Sequence, residues 1–156
     1  RRALDGPLTV RQGTLDPARH APLLALEAAQ SRARGYRNYP PAFLAAWAQA
    51  NPHHTLLTEA RLEGESVAFM LFLLHGPVAS YVTGWSGPQG RRHYAHTRLM
   101  WEGMRTLFAR GILRLDLGAV DSEGGSALAR FKLGCGARAR SLGPTCLLPP
   151  GFRVSP

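Results

Sequence analysis

Lysine is almost missing from this chain of 156 residues: of its 19 basic side chains only Lys132 is a lysine, and the rest are arginines. Acidic residues number 10, which leaves a formal charge of +9. Cysteine is scarce as well. Cys135 and Cys146 form neither a CxxC pair nor the even framework of a disulfide scaffold, so reduced thiols in a cytoplasmic protein are expected. No arrangement of His or Asn beside them supports a cysteine nucleophile. Metal-ligand spacing is absent too, and His53-His54 is only a pair at a strand start. No apolar run approaches the roughly 20 residues of a membrane span, the longest being the strand-sized Val67–Leu74. The opening Arg1-Arg2 lacks both the apolar segment of a secretory signal and an initiator Met, so a fragment, a processed form or a trimmed chain is expected. Internal repeats and low-complexity linkers are also lacking.

What is present is an ordinary globular balance, 45% hydrophobic and 19% charged, at a one-domain length; residues 1–156 are read as a single domain. The positive excess favours anionic partners: nucleic acid, a phosphorylated cofactor or a membrane surface. The arginines are dispersed, and Ala, Gly and Pro are abundant too, so a GC-rich coding bias accounts for the charge equally well.

Alternation at Leu8 and Val10 predicts a strand over 8–12, and Asp16-Pro17 a helix start leading to about residue 33, closed by Gly35. Pro40-Pro41 opens a second helix that ends at Asn51-Pro52. Three strands follow, over 54–62, 66–74 and 78–86, with turns at Glu63-Gly64-Glu65 and Gly76-Pro77. The unbroken apolar run of the second implies a sheet covered on both faces. A loop over 87–92 precedes a helix over about 93–109, with Thr97, Met100, Trp101, Met104, Leu107 and Phe108 as its core stripe. Gly111 stops that helix, and a parallel strand over 112–117 comes next. A short helix over 126–133 and one or two final strands within 137–148 complete the order β-α-α-β-β-β-α-β-α-β. The expected class is α+β: a mixed, mostly antiparallel central sheet with helices on both faces.

That order resembles the GNAT acyltransferase fold. A narrower likeness lies in His93-Tyr94-Ala95-His96-Thr97-Arg98-Leu99-Met100-Trp101-Glu102-Gly103-Met104, in Leu115-Asp116-Leu117-Gly118, and in Leu128-Ala129-Arg130-Phe131-Lys132-Leu133-Gly134-Cys135-Gly136. These motifs, spread over about 78–143, are similar to the FemAB-like branch, the peptidoglycan-bridge aminoacyltransferases and their relatives. Fem ligases carry two such domains, and this chain has room for one. The resemblance implies that the backbone of Tyr81–Ser86, with Val82, Thr83 and Gly84 at its centre, binds the pantetheine arm of acetyl-CoA or another acyl-CoA. It implies that Gln89, Gly90, Arg91, Arg92, His93 and Tyr94 hold the pyrophosphate. Lys132, beside Phe131, matches a lysine that stabilises developing negative charge. The region of Tyr36 and Tyr39 corresponds to an acceptor pocket. Many GNAT loops read Arg/Gln-x-x-Gly-x-Gly/Ala, and Gln89–Ala95 lacks the middle glycine.

The residues themselves fit that chemistry without requiring it. Gly87 and Gly90 permit close backbone approach at a helix N-terminus, where an anion is favoured, and Arg91 and Arg92 add donors; a plain polar connector fits equally. Amine acylation needs an oriented donor, a proton acceptor, oxyanion donors and a proton for the leaving group. Gly84 reads as a bulge that frees backbone N–H groups, or as a small residue packed under a helix. Asp116, on an expected interior strand, and Asp121, in the loop after it, can take the amine proton or hold its ammonium; for Asp116 a buried pair with arginine is the plainer reading. Tyr81, Tyr94, His93 and His96 are candidate acids, and Lys132 is either an electrostatic stabiliser or an exposed helical lysine. The expected function is N-acyl transfer from acyl-CoA to a small-molecule or peptide amine, with no metal and no membrane insertion. Aminoacyl transfer from tRNA and a non-catalytic binding module are the alternatives.

Overall fold

The computed structural model describes residues 6–120, 126–141 and 143. They fall in two compact units, Arg1–Ala119 and Val120–Pro156, each treated by itself.

In the first unit Thr9–Gly13 forms β1, Ala21–Arg34 α1, Pro41–Ala50 α2, Thr55–Leu62 β2, Glu65–His75 β3 and Val78–Ser86 β4. Pro88–Arg92 is α3, Ala95–Ala109 α4 and Arg114–Asp116 β5. The sheet order is β1-β2-β3-β4-β5, antiparallel except for the parallel β4–β5 pair. The α+β reading with a mostly antiparallel sheet therefore holds.

β3 is the centre because it has no polar side to offer water. Val67 through Leu74 are all buried, and alternate residues face opposite layers. Phe69, Leu71 and Leu73 join Leu57 beneath α1 and α2, where Leu23, Leu24 and Leu44 close the layer. Phe72 faces α4, so close to Gly103 that a β-carbon there would stand 2.8 Å from the ring.

Three boundaries moved. Asp16 does start a turn, accepting from Ala18 and Arg19 N–H at 3.0 Å each, but the α-helix begins only at Ala21. Residues 88–92, expected as loop, wind into α3, since Pro88 suits a first helical position. Residues 137–141, expected to be strand, carry no strand; the rest of that stretch up to 148, Gly143 apart, lies outside the described residues.

The α4 stripe is also rotated from its expected position. Ala95, Leu99, Met100, Gly103 and Leu107 are the buried set, whereas Trp101 and Phe108 are 48% and 77% exposed and Met104 is half-buried. Size misled the reading: Gly103 faces the sheet because the helix there sits too close to Phe72 for anything larger. In the second unit, α5 spans Ser126–Gly134 and ends as Cys135 N–H donates to Phe131 and Lys132 carbonyls.

Two stability outcomes follow from the α4 layer. The Thr58 hydroxyl is buried without a hydrogen-bond partner, so Thr58→Val should raise stability by about 1 kcal/mol in urea unfolding. Gly103→Val should cost about 1–3 kcal/mol by overpacking against Phe72, with the urea slope unchanged.

Candidate active site at the end of strand β4

The parallel ladder between β4 and β5 lasts three pairs, Val78↔Arg114, Ala79↔Leu115 and Ser80↔Asp116, yet β4 continues to Ser86. Just beyond the last pair the β3–β4 register slips. Phe72 faces Tyr81 and Leu71 faces Thr83, which leaves Val82 as the extra residue of a bulge. The bulge was expected at Gly84, but Gly84 keeps a regular partner, Met70. Its smallness serves packing. A β-carbon on Gly84 would lie 2.7 Å from the Tyr81 hydroxyl, 2.8 Å from the Phe69 carbonyl oxygen and 3.2 Å from His96 Nε2.

Tyr81 and His96 thus gather over Gly84 on the α4 side of the sheet. Burial pushes the Tyr81 phenol up, the Tyr36 and Glu27 charges adding to it, so the hydroxyl keeps its proton at neutral pH. Burial, with the Arg91 guanidinium adding, pushes His96 down to about 4, so its imidazole is neutral at pH 7. His96, one of the candidate acids, is half-buried, and its low pKa leaves it neutral.

The opposite face of β4 carries a second polar group, one that the sequence did not reveal. Thr83 is buried, and its hydroxyl accepts from Asn38 Nδ2 at 2.8 Å. The same Nδ2 donates at 2.7 Å to Oε1 of Glu27 in α1, and the Tyr36 hydroxyl donates to that oxygen at 3.0 Å. Gln30 Nε2 in turn donates to the Tyr36 oxygen at 3.0 Å. Of the expected acceptor-pocket residues, Tyr36 joins this network. The Tyr39 ring does not, since it stacks on Phe43 at 5.0 Å between centroids and is half-exposed, although the Tyr39 N–H donates to Asn38 Oδ1 at 2.8 Å. Glu27 was passed over because an acidic residue amid alanines looks like a solvated helix face. Only the 3% exposure of the folded residue marks it.

The expected phosphate segment is reshaped. Gly87 N–H donates to the Val67 carbonyl at 3.0 Å, and a β-carbon on Gly90 would collide with that carbonyl oxygen and with Ser86 Oγ. The glycines are therefore required for seating α3 on β3. Arg91 donates to the Ser86 carbonyl, while Gln89 and Arg92 are exposed. His93 caps α3 through its N–H to the Gln89 carbonyl, and Tyr94 precedes α4 in the left-handed region at φ 54°. No side chain caps the α4 N-terminus.

Asp116 is corrected in position. β5 is an edge strand among the described residues, and Asp116 is exposed, with Oδ1 accepting from Gly118 N–H at 2.8 Å. The expected burial beside arginine fails because the strand ends there. Asp121 lies outside the described residues. Lys132 is buried at 6% exposure, which excludes the exposed-lysine reading. No metal-binding group and no membrane-spanning helix occur among the described residues.

A β-bulge thus stands at the point where two parallel strands part. Residues 1–133 match the sequence profile described as Acetyltransferase (GNAT) domain. The chain belongs to the GNAT acetyltransferase domain family. No curated protein matches it by sequence. In fold, this GNAT domain is similar to FemX, at TM-score 0.74 and 13% identity over 87% of the chain; it spans 52% of FemX, about half its length. It is similar to an aminoglycoside acetyltransferase from an uncultured soil metagenomic sample, solved in complex with sisomicin: TM-score 0.66, 16% identity, 93% of this chain and 99% of that one. A ribosomal-protein-alanine N-acetyltransferase from Brucella melitensis biovar Abortus 2308 matches at TM-score 0.58 and 17% identity, over 90% of this chain and 98% of that one.

The neutral His96 makes stability depend on pH. Its folded pKa of about 4 lies below the unfolded 6.5, so the unfolded chain binds the extra proton between those values. The contribution is complete above pH 6.5 and is lost as pH falls toward 4, at most about 3 kcal/mol. Urea midpoints measured across that window should fall more steeply for the wild type than for His96→Gln.

Proposed function

We propose that this GNAT domain is an N-acyltransferase that takes its acyl group from acyl-CoA, acetyl-CoA first among them, and passes it to an amine in the cytoplasm. The observation that carries the reading is the parting of β4 from β5 after Ser80. Beyond it, the edge of β4 offers backbone donors and acceptors to an extended, amide-bearing chain, which is what a pantetheine arm is. The uncapped start of α4, with Arg92 exposed before it, suits the pyrophosphate. Arg91, tied to Ser86, holds α3 in place in this reading and contributes charge alone. We read both compact units as parts of one catalytic domain, because the family match runs from 1 to 133, across the boundary between them.

In the reaction the neutral amine attacks the thioester carbonyl carbon. The C–N bond forms, the C–S bond breaks with its electron pair leaving on sulfur, and one amine proton is lost as the thiolate gains one. Backbone N–H groups at the Val82 bulge are suited to the oxyanion, since a bulge removes them from the ladder. Tyr81, held protonated beside Gly84, is suited to give the leaving sulfur its proton. Asp116 stands where the strands part and keeps Oδ2 beyond its bond to Gly118, which suits it to the amine proton. Lys132, from the Fem-like resemblance, stabilises negative charge. Tyr36 and Tyr39 border the acceptor in this reading, and Asp121 is kept from the sequence as a candidate for its ammonium.

Aminoacyl transfer from tRNA is the second reading, favoured by the charge of +9 and by the Fem-like motifs around Lys132. It predicts tRNA binding that weakens steeply with salt. Acyl-CoA use predicts a thermal shift. Acetyl-CoA at about a hundred times its dissociation constant stabilises by about 2.7 kcal/mol, which raises the unfolding midpoint of a chain this size by about 5–10 °C. AMP at the same concentration should not reproduce it. An unmoved midpoint at millimolar acetyl-CoA excludes the donor.

A further inference from the structure

A carboxylate taken out of water is costly unless a cation or a full set of donors compensates it. Glu27 is 3% exposed, and both its donors are neutral: the Tyr36 hydroxyl and the Asn38 amide. Both bonds reach Oε1; Oε2 receives none among the described residues. No Lys, Arg or His among the described residues lies within ion-pair distance of it. Arg34, whose charge reaches Tyr36, is no exception. This is notable in a chain with 19 basic residues. Glu59, the other buried carboxylate, does have its arginine, Arg61 at 3.2 Å.

The position of Glu27 adds a second observation. Asn38 Nδ2 bridges Glu27 and Thr83, so the carboxylate is tied through one amide to the residue between the Val82 bulge and Gly84. Its charge reaches the Tyr81 phenol as well. We infer that Glu27 is the anchor for the acceptor's ammonium group, with Oε2 as the receiving atom and Tyr36 and Asn38 holding Oε1. The acceptor class is then an alkylamine that is cationic at neutral pH, and it binds on the α1 side of β4. The anchor's role as an acceptor site rests on the acyl-transfer reading.

The test uses ¹⁵N-labelled protein titrated with n-butylammonium chloride and, separately, with n-butanol, which has a similar chain without the charge. Butylammonium should shift the Asn38 side-chain and Thr83 backbone signals saturably, and butanol should not. Glu27→Gln keeps the size and an oxygen for Tyr36 and Asn38, and it should weaken butylammonium binding about tenfold or more, the worth of one charged hydrogen bond. An equal response to butanol, no saturable shift, or unchanged binding by the variant overturns the inference. The contrast between cation and alcohol needs only the wild type, so a variant that fails to fold leaves the test intact. Acetyl-CoA melts run alongside separate the two readings. Butylammonium binding through Glu27 without any acetyl-CoA shift removes the donor and keeps the cation site. An acetyl-CoA shift without butylammonium binding removes the anchor alone.

Discussion

A strand that leaves its neighbour exposes a row of backbone donors and acceptors, and β4 does so after Ser80. The features of the candidate site follow from that parting. The Val82 bulge changes the aim of β4 at the same point, setting Tyr81 and Gly84 toward α4 and Thr83 toward α1. An exposed edge is ordinarily a hazard, because it invites pairing with other chains. Here it is short and ends against α3, whose seating on β3 requires Gly90.

The parting needs a rigid neighbour on the other side, and β3 supplies it. Buried through Val67–Leu74, it holds β4 across the whole length of the strand while β5 holds only the beginning. The energetic weight of the first unit lies in that asymmetry. Apolar burial fixes the β3 side, and beyond Ser80 the far side of β4 has no strand partner among the described residues.

Two polar groups flank the same few residues of β4 and differ in character. Over Gly84, Tyr81 and His96 are both kept neutral by burial. On the α1 side, the Glu27 carboxyl group is buried and held by two neutral donors.

The sequence alone determined the α+β class, the buried central strand and the order of the elements apart from α3 and the expected last strand, because hydrophobic period and turn chemistry are local. Val67–Leu74 could be nothing but a covered strand, and Gly35, Pro41 and Gly111 marked helix ends without help from the fold. It also offered the Tyr81–Ser86 segment and Tyr36 as site candidates, as what the family resemblance implies. Tertiary structure decided what depends on neighbours distant in the chain. Gly103 faces the sheet and Trp101 faces water because Phe72 leaves no room for more, a fact 31 positions away in the sequence from Gly103. The bulge fell at Val82 because register is set by pairing with β3, which a single strand cannot reveal. Glu27, Asn38 and Thr83 met because α1, the segment after it and β4 fold against one another, and only that packing turned an ordinary helical glutamate into a buried charge.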